Sequence, residues 1–252
     1  MIITIPISYQ MELDHFKPQE IPNIEALQFK GSWRNSKYFS DEYNKIWHLS
    51  DGIVSLDQEL KFGNIIPPEL LSMSLAPACR KVKIEDFYYK AKSEILSRDS
   101  LKRIISGKLY EIKKKFSNKI ALENTNYYPY SAYKHITQPD FITEVIEEND
   151  IYFCFDIAHA IVSAYNMGVH PQRYIRALPL HRCVEVHLST PGIVGGMWRD
   201  LHEAPNSDIF NCLESCMDRL NKDIYVVIEY YRDFGVIRES YKELIRRFGC
   251  KE

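Results

Sequence analysis

Eight short runs of apolar and β-branched residues recur along this 252-residue chain, and they limit what the chain can fold into. Most of the runs are followed by a polar segment with apolar residues at helical spacing, and strands that alternate with helices indicate a parallel sheet. The runs are apolar almost throughout, as expected of strands that are covered on both faces. The eight runs are residues 2–9, 24–31, 46–54, 70–77, 119–126, 151–160, 183–190 and 224–231.

Helical segments are clearest in the second half of the chain. Residues 97–116 begin with a Ser/Asp cap and carry apolar residues at helical spacing, and residues 138–149 and 208–222 behave likewise. Connections in the first half are shorter or rich in Pro and Gly. No linker or low-complexity segment interrupts the chain, and eight strand–helix repeats close most simply into a barrel. We therefore predict an α/β fold, a single (β/α)8 TIM barrel that spans residues 1–252 as one domain.

Composition excludes several classes of protein. The formal net charge is −2 with Lys and Arg spread along the chain, so a nucleic-acid binder is not expected. No apolar stretch reaches the roughly 18 residues that cross a bilayer, and the first residues lack the basic segment of a signal peptide. Six scattered cysteines without a Cys-x-x-Cys motif indicate neither a disulfide framework nor a zinc finger. We expect a cytoplasmic protein without a membrane or nucleic-acid partner.

The last four predicted strands each end in a carboxylate or an imidazole. Glu123, Asp156, His187 and Glu229 follow apolar residues at these ends, and His159 comes three residues after Asp156. In barrels of this kind catalytic groups project from the carboxyl ends of the strands, where the connecting loops meet. The pattern predicts that these side chains share one site.

Three further residues extend this set. His48 lies in the third predicted strand, and the pair Asp200 and His202 follows the seventh strand across the glycine-rich stretch GIVGGMW. Glycine permits a sharp chain reversal because it lacks a Cβ. We expect this loop to carry Asp200 and His202 back over the same barrel end.

Each residue taken alone has an ordinary structural interpretation. Asp156 suits a helix cap, His159 and His187 suit buried core positions, and Glu229 suits a salt bridge. Taken together, several carboxylates at one buried place would repel one another unless a cation were present. The ligand-type residues outnumber those of one zinc site, so two or three ions are predicted. Mixed imidazole and carboxylate ligands suit iron, manganese or zinc, and spacing does not choose among these metals.

Three neighbouring residues are candidates for contact with substrate. Asn124 follows Glu123 directly, Asn166 lies in the stretch SAYNMG, and Trp198 lies beside Asp200. Turn or capping roles for the two asparagines, and core packing for the tryptophan, are equally consistent with the sequence.

Four blocks of sequence resemble a known family in their order and spacing. They are ALENTNYY, the stretch from FDIAHA to VEVHLS, RDLHEAP and VVIEYYRDF. The chain resembles the multinuclear non-haem iron-dependent oxidative enzymes, which include the iron enzyme of methanobactin biosynthesis. Their barrel is similar to xylose isomerase and endonuclease IV. The likeness runs from about residue 46 to residue 235 and is strongest from residue 119 onward.

The resemblance implies a set of iron ligands and one departure from the family pattern. Members usually have a second early His in a Ser-x-His-Leu context, whereas LLSMSLAPACRKV at 70–82 has none, and Cys79 is the candidate replacement. The residues that carry over as ligands of two or three iron ions are His48, Glu123, Asp156, His159, His187, Asp200, His202 and Glu229.

The resemblance also implies an activity. Family members use O2 and iron to modify a cysteine, or sometimes an aspartate or asparagine, in a ribosomally made precursor peptide, often with a partner protein that presents the peptide. Two alternatives stay open at this point. One is a zinc- or manganese-dependent hydrolase or sugar isomerase on the same barrel, and the other is a catalytically degenerate barrel that binds a peptide.

Overall fold

The computed structural model describes residues 1–7, 21, 23–30, 33, 36, 39, 41–57 and 66–249. Residues 8, 9 and 31, at the ends of two predicted strands, lie outside the described residues. The strands in chain order are β1 (Ile2–Ile7), β2 (Ala26–Lys30), β3 (Asn44–Leu49), β4 (Leu70–Ser74), β5 (Val82–Glu85), β6 (Tyr88–Ala91), β7 (Lys119–Glu123), β8 (Tyr152–Asp156), β9 (Cys183–Leu188), β10 (Thr190–Val194), β11 (Met197–Glu203) and β12 (Tyr225–Ile228).

Eight of these strands form a closed barrel. Their order around it is β1-β12-β9-β8-β7-β4-β3-β2, and every neighbouring pair is parallel. Each of the eight predicted runs overlaps one barrel strand, and only β3 begins before its run, by two residues, so the predicted α/β barrel is confirmed. The extension of one domain over residues 1–252 stays a prediction. The other four strands pair as two antiparallel hairpins, β5–β6 and β10–β11.

Several strands end earlier than the apolar runs that predicted them. The run 151–160 is the clearest case, because the strand stops at Asp156 and the apolar residues continue into a helix. Asp156 Oδ1 accepts a hydrogen bond from His159 N at 2.7 Å and so caps that helix. Ile157 and Ala160 are fully buried, and a buried helix start and a buried strand have the same apolar composition.

The α-helices lie mainly in the second half. They are α1 (Arg98–Lys113), α2 (Pro139–Glu148), α3 (Ile157–Asn166), α4 (Pro171–Arg176), α5 (Ser207–Glu214) and α6 (Phe234–Phe248). Three of them fall within the predicted helical segments or one residue beyond, while α3, α4 and α6 were not predicted. In the described part of the chain no α-helix lies between β1 and β4, which agrees with the short connections of that half. None of the described helices is long and apolar enough to span a bilayer.

Alternate residues of the barrel strands give the interior two layers. Side chains in a strand alternate between its faces, so residues two apart point the same way. The pairs are Gln28 and Lys30 on β2, Ser72 and Ser74 on β4, Cys154 and Asp156 on β8, and Glu185 and His187 on β9. The later member of each pair faces the carboxyl end of the barrel, which we call the mouth, and the earlier member lies one layer deeper.

The close approach of two loops beyond β3 and β4 yields a stability prediction. A Cβ at Gly52 would lie 2.4 Å from the Ala76 carbonyl oxygen, which also accepts a hydrogen bond from Val54 N. We expect Gly52→Ala to lower the free energy of unfolding by about 2 kcal/mol, because backbone must move to admit the methyl group. Gly107 in α1 has open space around its Cα, so Gly107→Ala should be stabilising by about 0.5–1 kcal/mol. Urea denaturation measures both, and equal stability of Gly52→Ala and wild type would contradict the close approach.

Candidate metal centre

All eight predicted site residues come together at the mouth. Glu123, at the end of β7, lies at the middle of the contacts. Its Oε1 lies 2.9 Å from His187 Nδ1, and its Oε2 accepts a hydrogen bond from Ser74 Oγ at 2.6 Å and lies 3.8 Å from His48 Nε2. Three different strands therefore direct ligand atoms at one carboxylate.

A second group surrounds the start of α3. The unbonded oxygen of Asp156, Oδ2, lies 3.6 Å from His159 Nε2 and 3.9 Å from His187 Nδ1. His159 Nε2 also lies 3.4 Å from Asp200 Oδ2. The other ring nitrogen of His159 is 2.8 Å from the backbone oxygen of Asn124, so that contact holds the ring and leaves Nε2 facing the carboxylates.

The β10–β11 hairpin brings the Asp-x-His pair back to the mouth. Its turn is made by Gly195 and Gly196, with φ of 60° and 78°, a region that is unfavourable for other residues. The predicted reversal is thus an antiparallel hairpin and not an irregular loop. Asp200 Oδ2 lies 3.0 Å from His202 Nδ1, and His202 Nε2 lies 3.1 Å from Glu229 Oε2.

Sequence reasoning missed a lysine in the same site. Lys30 Nζ, at the end of β2, donates to Glu229 Oε1 at 2.5 Å and to Tyr231 OH at 3.2 Å. Lys30 stands where β2 ends, the same position that drew attention to Glu123 and His187. Its position at a strand end could have indicated Lys30, but a protonated lysine is not a metal ligand and was therefore not predicted.

The deeper interior layer was also missed. Gln28 Nε2 donates to Glu185 Oε1 at 2.7 Å, and Cys154 Sγ lies 3.6 Å from His187 Nε2. Glu185 is fully buried. Each of these residues lies two positions before a strand-end residue, so the period of a β-strand could have indicated them.

Three sets of buried side chains have ligand atoms within 4.8 Å of one another, close enough for each set to hold a metal ion. Two sets lie at the mouth and share Asp156, so the corresponding ions would be neighbours. Ligand distances of about 2.0–2.3 Å, as in zinc sites, put ligand atoms of one ion at separations of this order. The three sets are Glu123, Asp156 and His159; Asp156, His187 and Glu229; and His48, Cys154, Glu185 and His187.

The carboxylates at the mouth do not share one protonation state. Burial raises the pKa of Asp156 to about 7; His159 opposes this rise, while the charges of Asp200, Glu123 and Glu229 add to it. Burial acts in the same direction on Glu123, Asp200 and Glu229, but their cationic and imidazole neighbours outweigh it and the pKa of each is lowered. Asp156 Oδ2 is buried without a hydrogen-bond partner among the described residues, with the imidazole nitrogens of His159 and His187 3.6 and 3.9 Å away, so this oxygen is available to bind a cation.

The nearby acidic groups raise the pKa of three of the four imidazoles at the mouth. Burial lowers the pKa of His202, yet hydrogen bonds with Asp200 and Glu229 raise it to about 10. His159 and His187 likewise have a pKa well above the ordinary value because of nearby acidic groups, whereas burial lowers the pKa of His48. Without metal, protons on these rings balance part of the carboxylate charge.

Comparison with known proteins agrees with this arrangement. Residues 95–247, more than half of the chain, match the family described as RiPP precursor modification enzyme MbnB/TglH/ChrH, where RiPP denotes a ribosomally made and post-translationally modified peptide. The chain belongs to this family. The family suspected from the strand-end motifs is therefore confirmed.

Curated relatives and solved structures add partial matches. The UPF0276 protein of Acaryochloris marina is 26% identical over 110 residues, which cover 43% of this chain and 39% of that protein. A UPF0276 protein of Vibrio vulnificus is 33% identical over 92 residues, covering 35% of this chain and 32% of that protein. The matched region thus spans less than half the length of these relatives.

The solved structures support the fold. The 3-keto-D-glucoside 4-epimerase of E. coli superposes with a TM-score of 0.60 at 13% identity, covering 99% of this chain and all of that chain. A D-tagatose 3-epimerase-like protein gives a TM-score of 0.60 at 16% identity, covering 96% and 98%. At such identities the likeness concerns the barrel alone.

The three residues suggested for substrate contact hold backbone in place. Asn124 exchanges hydrogen bonds of 2.9 Å with both backbone groups of Asp156. Asn166 Nδ2 donates to the Tyr127 and Trp198 carbonyl oxygens at 3.0 and 2.9 Å, and its Oδ1 accepts from Trp198 N. Trp198 stacks on Tyr165 with ring centroids 4.3 Å apart. These contacts agree with the structural roles that the sequence also allowed, and substrate contact by these residues stays a prediction.

The departure from the family pattern falls on β4. Ser72 and Ser74 face the interior there, Ser74 contacting Glu123 and Ser72 lying 3.0 Å from His48 Nδ1. Cys79 is in none of the three ligand sets of the described residues, and its Sγ donates to the Lys81 carbonyl oxygen at 3.3 Å. Cys79 therefore does not replace the absent histidine in this arrangement.

The raised pKa of Asp156 predicts a stabilising variant. The folded state holds a proton on this carboxyl up to about pH 7, whereas the unfolded chain loses it near its ordinary value of 3.8, so the group makes folding less favourable as pH rises through this window. We expect Asp156→Asn to raise the melting temperature of the metal-free protein at pH 8 by about 2 °C or more, on the order of 1 kcal/mol. The gain should be smaller at pH 5.

Asp140→Asn is the matched control, because Asp140 is exposed on α2 and changes of this kind at surfaces have small effects. Scanning calorimetry after treatment with a chelator measures both variants. Lower stability of Asp156→Asn at pH 8 would mean that the histidines stabilise the ionised carboxylate more than burial disfavours it.

Proposed function

We propose that this protein uses O2 and two or three iron ions at the mouth to oxidise a cysteine, or an aspartate or asparagine, of a ribosomally made precursor peptide. The observation that carries the proposal is the convergence of four carboxylates and four imidazoles from six separate parts of the barrel, with Asp156 Oδ2 left without a partner. Family membership supports a peptide substrate, and a partner protein that presents the peptide is part of the proposal.

The donor set fits divalent metal ions with mixed oxygen and nitrogen ligands. Glu123, Asp156 and His159 would hold one ion, and Asp156, His187 and Glu229 would hold its neighbour. His48, Asp200 and His202 lie around these two sets and would complete the ligands or hold a third ion. Zinc has no redox chemistry, so an oxidative reaction favours iron or manganese among the metals that suit these ligands. Bound iron would supply the electrons that O2 accepts and would polarise the substrate group that it binds.

The exposure of the ligands indicates where a peptide would enter. The His202 side chain is 38% exposed, whereas that of Glu229 beside it is 1% exposed. The β10–β11 hairpin that carries His202 therefore lines the open side, and the deeper ligands are shielded from water. Near the same rim, Tyr88 packs against Tyr128 with ring centroids 4.5 Å apart, and the Arg199 guanidinium lies 4.7 Å from the Tyr88 ring centroid. Both tyrosines are buried, so this cluster supports the hairpin from beneath.

Metal content tests the assignment of ligands. Protein purified without air should contain iron, and Glu123→Gln should lose bound iron because the amide keeps the shape of the side chain but not its charge. Glu111→Gln is the matched control, since Glu111 is 63% exposed on α1 and should keep wild-type iron content. His187→Ala gives a second test on another strand. Elemental analysis gives the result, and unchanged iron in both Glu123→Gln and His187→Ala would refute the site.

Protons on the imidazoles predict how metal uptake depends on pH. A ring nitrogen must lose its proton before it binds a cation, and the pKa of His202 is about 10 without metal. We therefore expect metal affinity to rise with pH between about pH 6.5 and 8.5, by up to about tenfold per unit for each proton displaced. Calorimetric titration with Co2+ in buffers of different ionisation enthalpy counts the released protons. Uptake without proton release would contradict the protonated imidazoles.

The metal also separates this proposal from its alternatives. An iron centre absorbs visible light, whereas a zinc-loaded protein is colourless. A colourless protein with stoichiometric zinc would favour a hydrolase or isomerase, and a protein that takes up no metal would favour a barrel that only binds peptide. Consumption of O2 on addition of a precursor peptide, followed by a mass change on the peptide, is the direct test of activity.

A further inference from the structure

Two imidazoles of the candidate centre lie between the two interior layers, with one nitrogen facing each layer. His187 Nδ1 faces Glu123 at the mouth, while its Nε2 faces the deeper layer. His48 Nε2 faces Glu123 at 3.8 Å, while its Nδ1 lies 3.0 Å from Ser72 Oγ. The two rings pack edge to face, with centroids 5.1 Å apart. Their orientation therefore depends on what the deeper layer offers to the inner nitrogens.

The deeper layer offers a single carboxylate. Glu185 Oε1 lies 3.1 Å from His187 Nε2 and accepts a hydrogen bond from Gln28 Nε2 at 2.7 Å. His187 is the main cause that lowers the pKa of Glu185 against the effect of burial. The carboxylate thus contacts the inner nitrogen of one imidazole directly.

Burial of the Glu185 carboxylate is energetically unfavourable unless neighbouring groups compensate its charge. Its side chain is fully buried, and among the described residues its Oε2 has no hydrogen bond of ordinary geometry. A buried carboxylate is tolerated when charge and hydrogen bonds compensate it. A cation bound to an imidazole polarises the N–H on the far side of the ring, and a carboxylate is a frequent acceptor for that N–H at metal sites.

We propose that Glu185 is a positioning residue for the candidate metal centre, orienting His187 by accepting a hydrogen bond from its Nε2. This inference rests on the proposed function, because it assigns the mouth-facing nitrogens to metal. A neutral imidazole carries one proton, so a cation on His187 Nδ1 places that proton on Nε2, where Glu185 is the acceptor.

Gln28 completes the surroundings of the Glu185 carboxylate. Its Nε2 donates to Glu185 Oε1 at 2.7 Å and lies 2.9 Å from His187 Nε2. Gln28 therefore holds the carboxylate beside the inner nitrogen of His187.

The deeper layer also resembles a metal site in its own right. Cys154, Glu185, His48 and His187 have ligand atoms within 4.8 Å of one another. An ion there would take the inner nitrogen of His187, which would then be unable to donate to Glu185. At the mouth, more candidate metal ligands lie near the outer nitrogen of His187, Nδ1, than lie near its inner nitrogen in the deeper layer. We therefore assign Glu185 in the deeper layer to orienting the imidazole of His187. Metal binding by Cys154 is one outcome of the test.

The test measures Co2+ affinity and the visible spectrum of the Co2+-loaded protein. Replacing Glu185 by Leu should weaken affinity by about 10–100-fold and alter the spectrum, since the His187 ring loses its orientation. Replacing it by Gln keeps an oxygen acceptor without charge, so Glu185→Gln should recover part of the affinity. Partial recovery distinguishes positioning from general packing, and Glu185→Gln also serves if the leucine variant does not fold.

Cys154→Ala is the matched control in the same layer. Cys154 is fully buried next to His187 but is not an acceptor in the proposed network, so affinity and the number of bound ions should match wild type. Wild-type affinity in both Glu185 variants, with metal still bound, would overturn the inference while the proposed function stands. Loss of an ion in Cys154→Ala would overturn it in favour of a thiolate metal site. Absence of metal in the wild type would overturn both proposals.

Discussion

Repulsion among buried carboxylates is the constraint on which the mouth of this barrel depends. Glu123, Asp156, Asp200 and Glu229 are held close together out of water by strands and a hairpin that cannot easily separate them. Imidazoles lie between the acids, and their raised pKa values show that protons compensate the charge when no metal is bound. Asp156 receives the least compensation and keeps its own proton to about pH 7. Bound cations would reduce the repulsion among all four carboxylates at once. The geometry that makes the metal-free protein less stable would therefore also favour metal binding.

Because side chains alternate along a β-strand, a second layer of interior side chains lies beneath the candidate ligands at the mouth. Residues two apart share a face, so a strand that ends in a ligand also offers a residue one layer below it. On β9 these are His187 and Glu185, on β8 Asp156 and Cys154. Both deeper residues contact the inner side of His187, which connects strand register directly to the orientation of that imidazole. The hairpin of β10 and β11 brings Asp200 and His202 to the mouth from outside the barrel, and His202 is the more exposed of the two.

The sequence was sufficient for the barrel and for the residues at the mouth, because both follow from short-range patterns. Eight apolar runs indicated eight strands, and polar residues at their ends indicated the side chains that meet. Boundaries were less accurate: the run through Phe155 and Ile157 is equally apolar in strand and helix, and only the capping contact of Asp156 divides it. Lys30 and Glu185 were missed for different reasons. A protonated lysine is not a metal ligand. The contact of Glu185 with Gln28 appears only when the barrel closes and brings β2 near β9 across its interior.

Lys30 changes the charge that ions must balance. Its ammonium group lies 2.5 Å from Glu229 Oε1, so one oxygen of that ligand already has a cation beside it. The other oxygen lies 3.1 Å from His202, which leaves Glu229 with cationic or imidazole partners on both sides. On the opposite side of the mouth, β4 supplies Ser74 where the family pattern has a histidine, and a hydroxyl is a weaker metal ligand than an imidazole. Near Glu229 the protein supplies an ammonium group, whereas the positive charge near Asp156 comes from the imidazole of His159, which must lose its proton before it binds a metal ion. A cation would therefore relieve the most repulsion around Asp156.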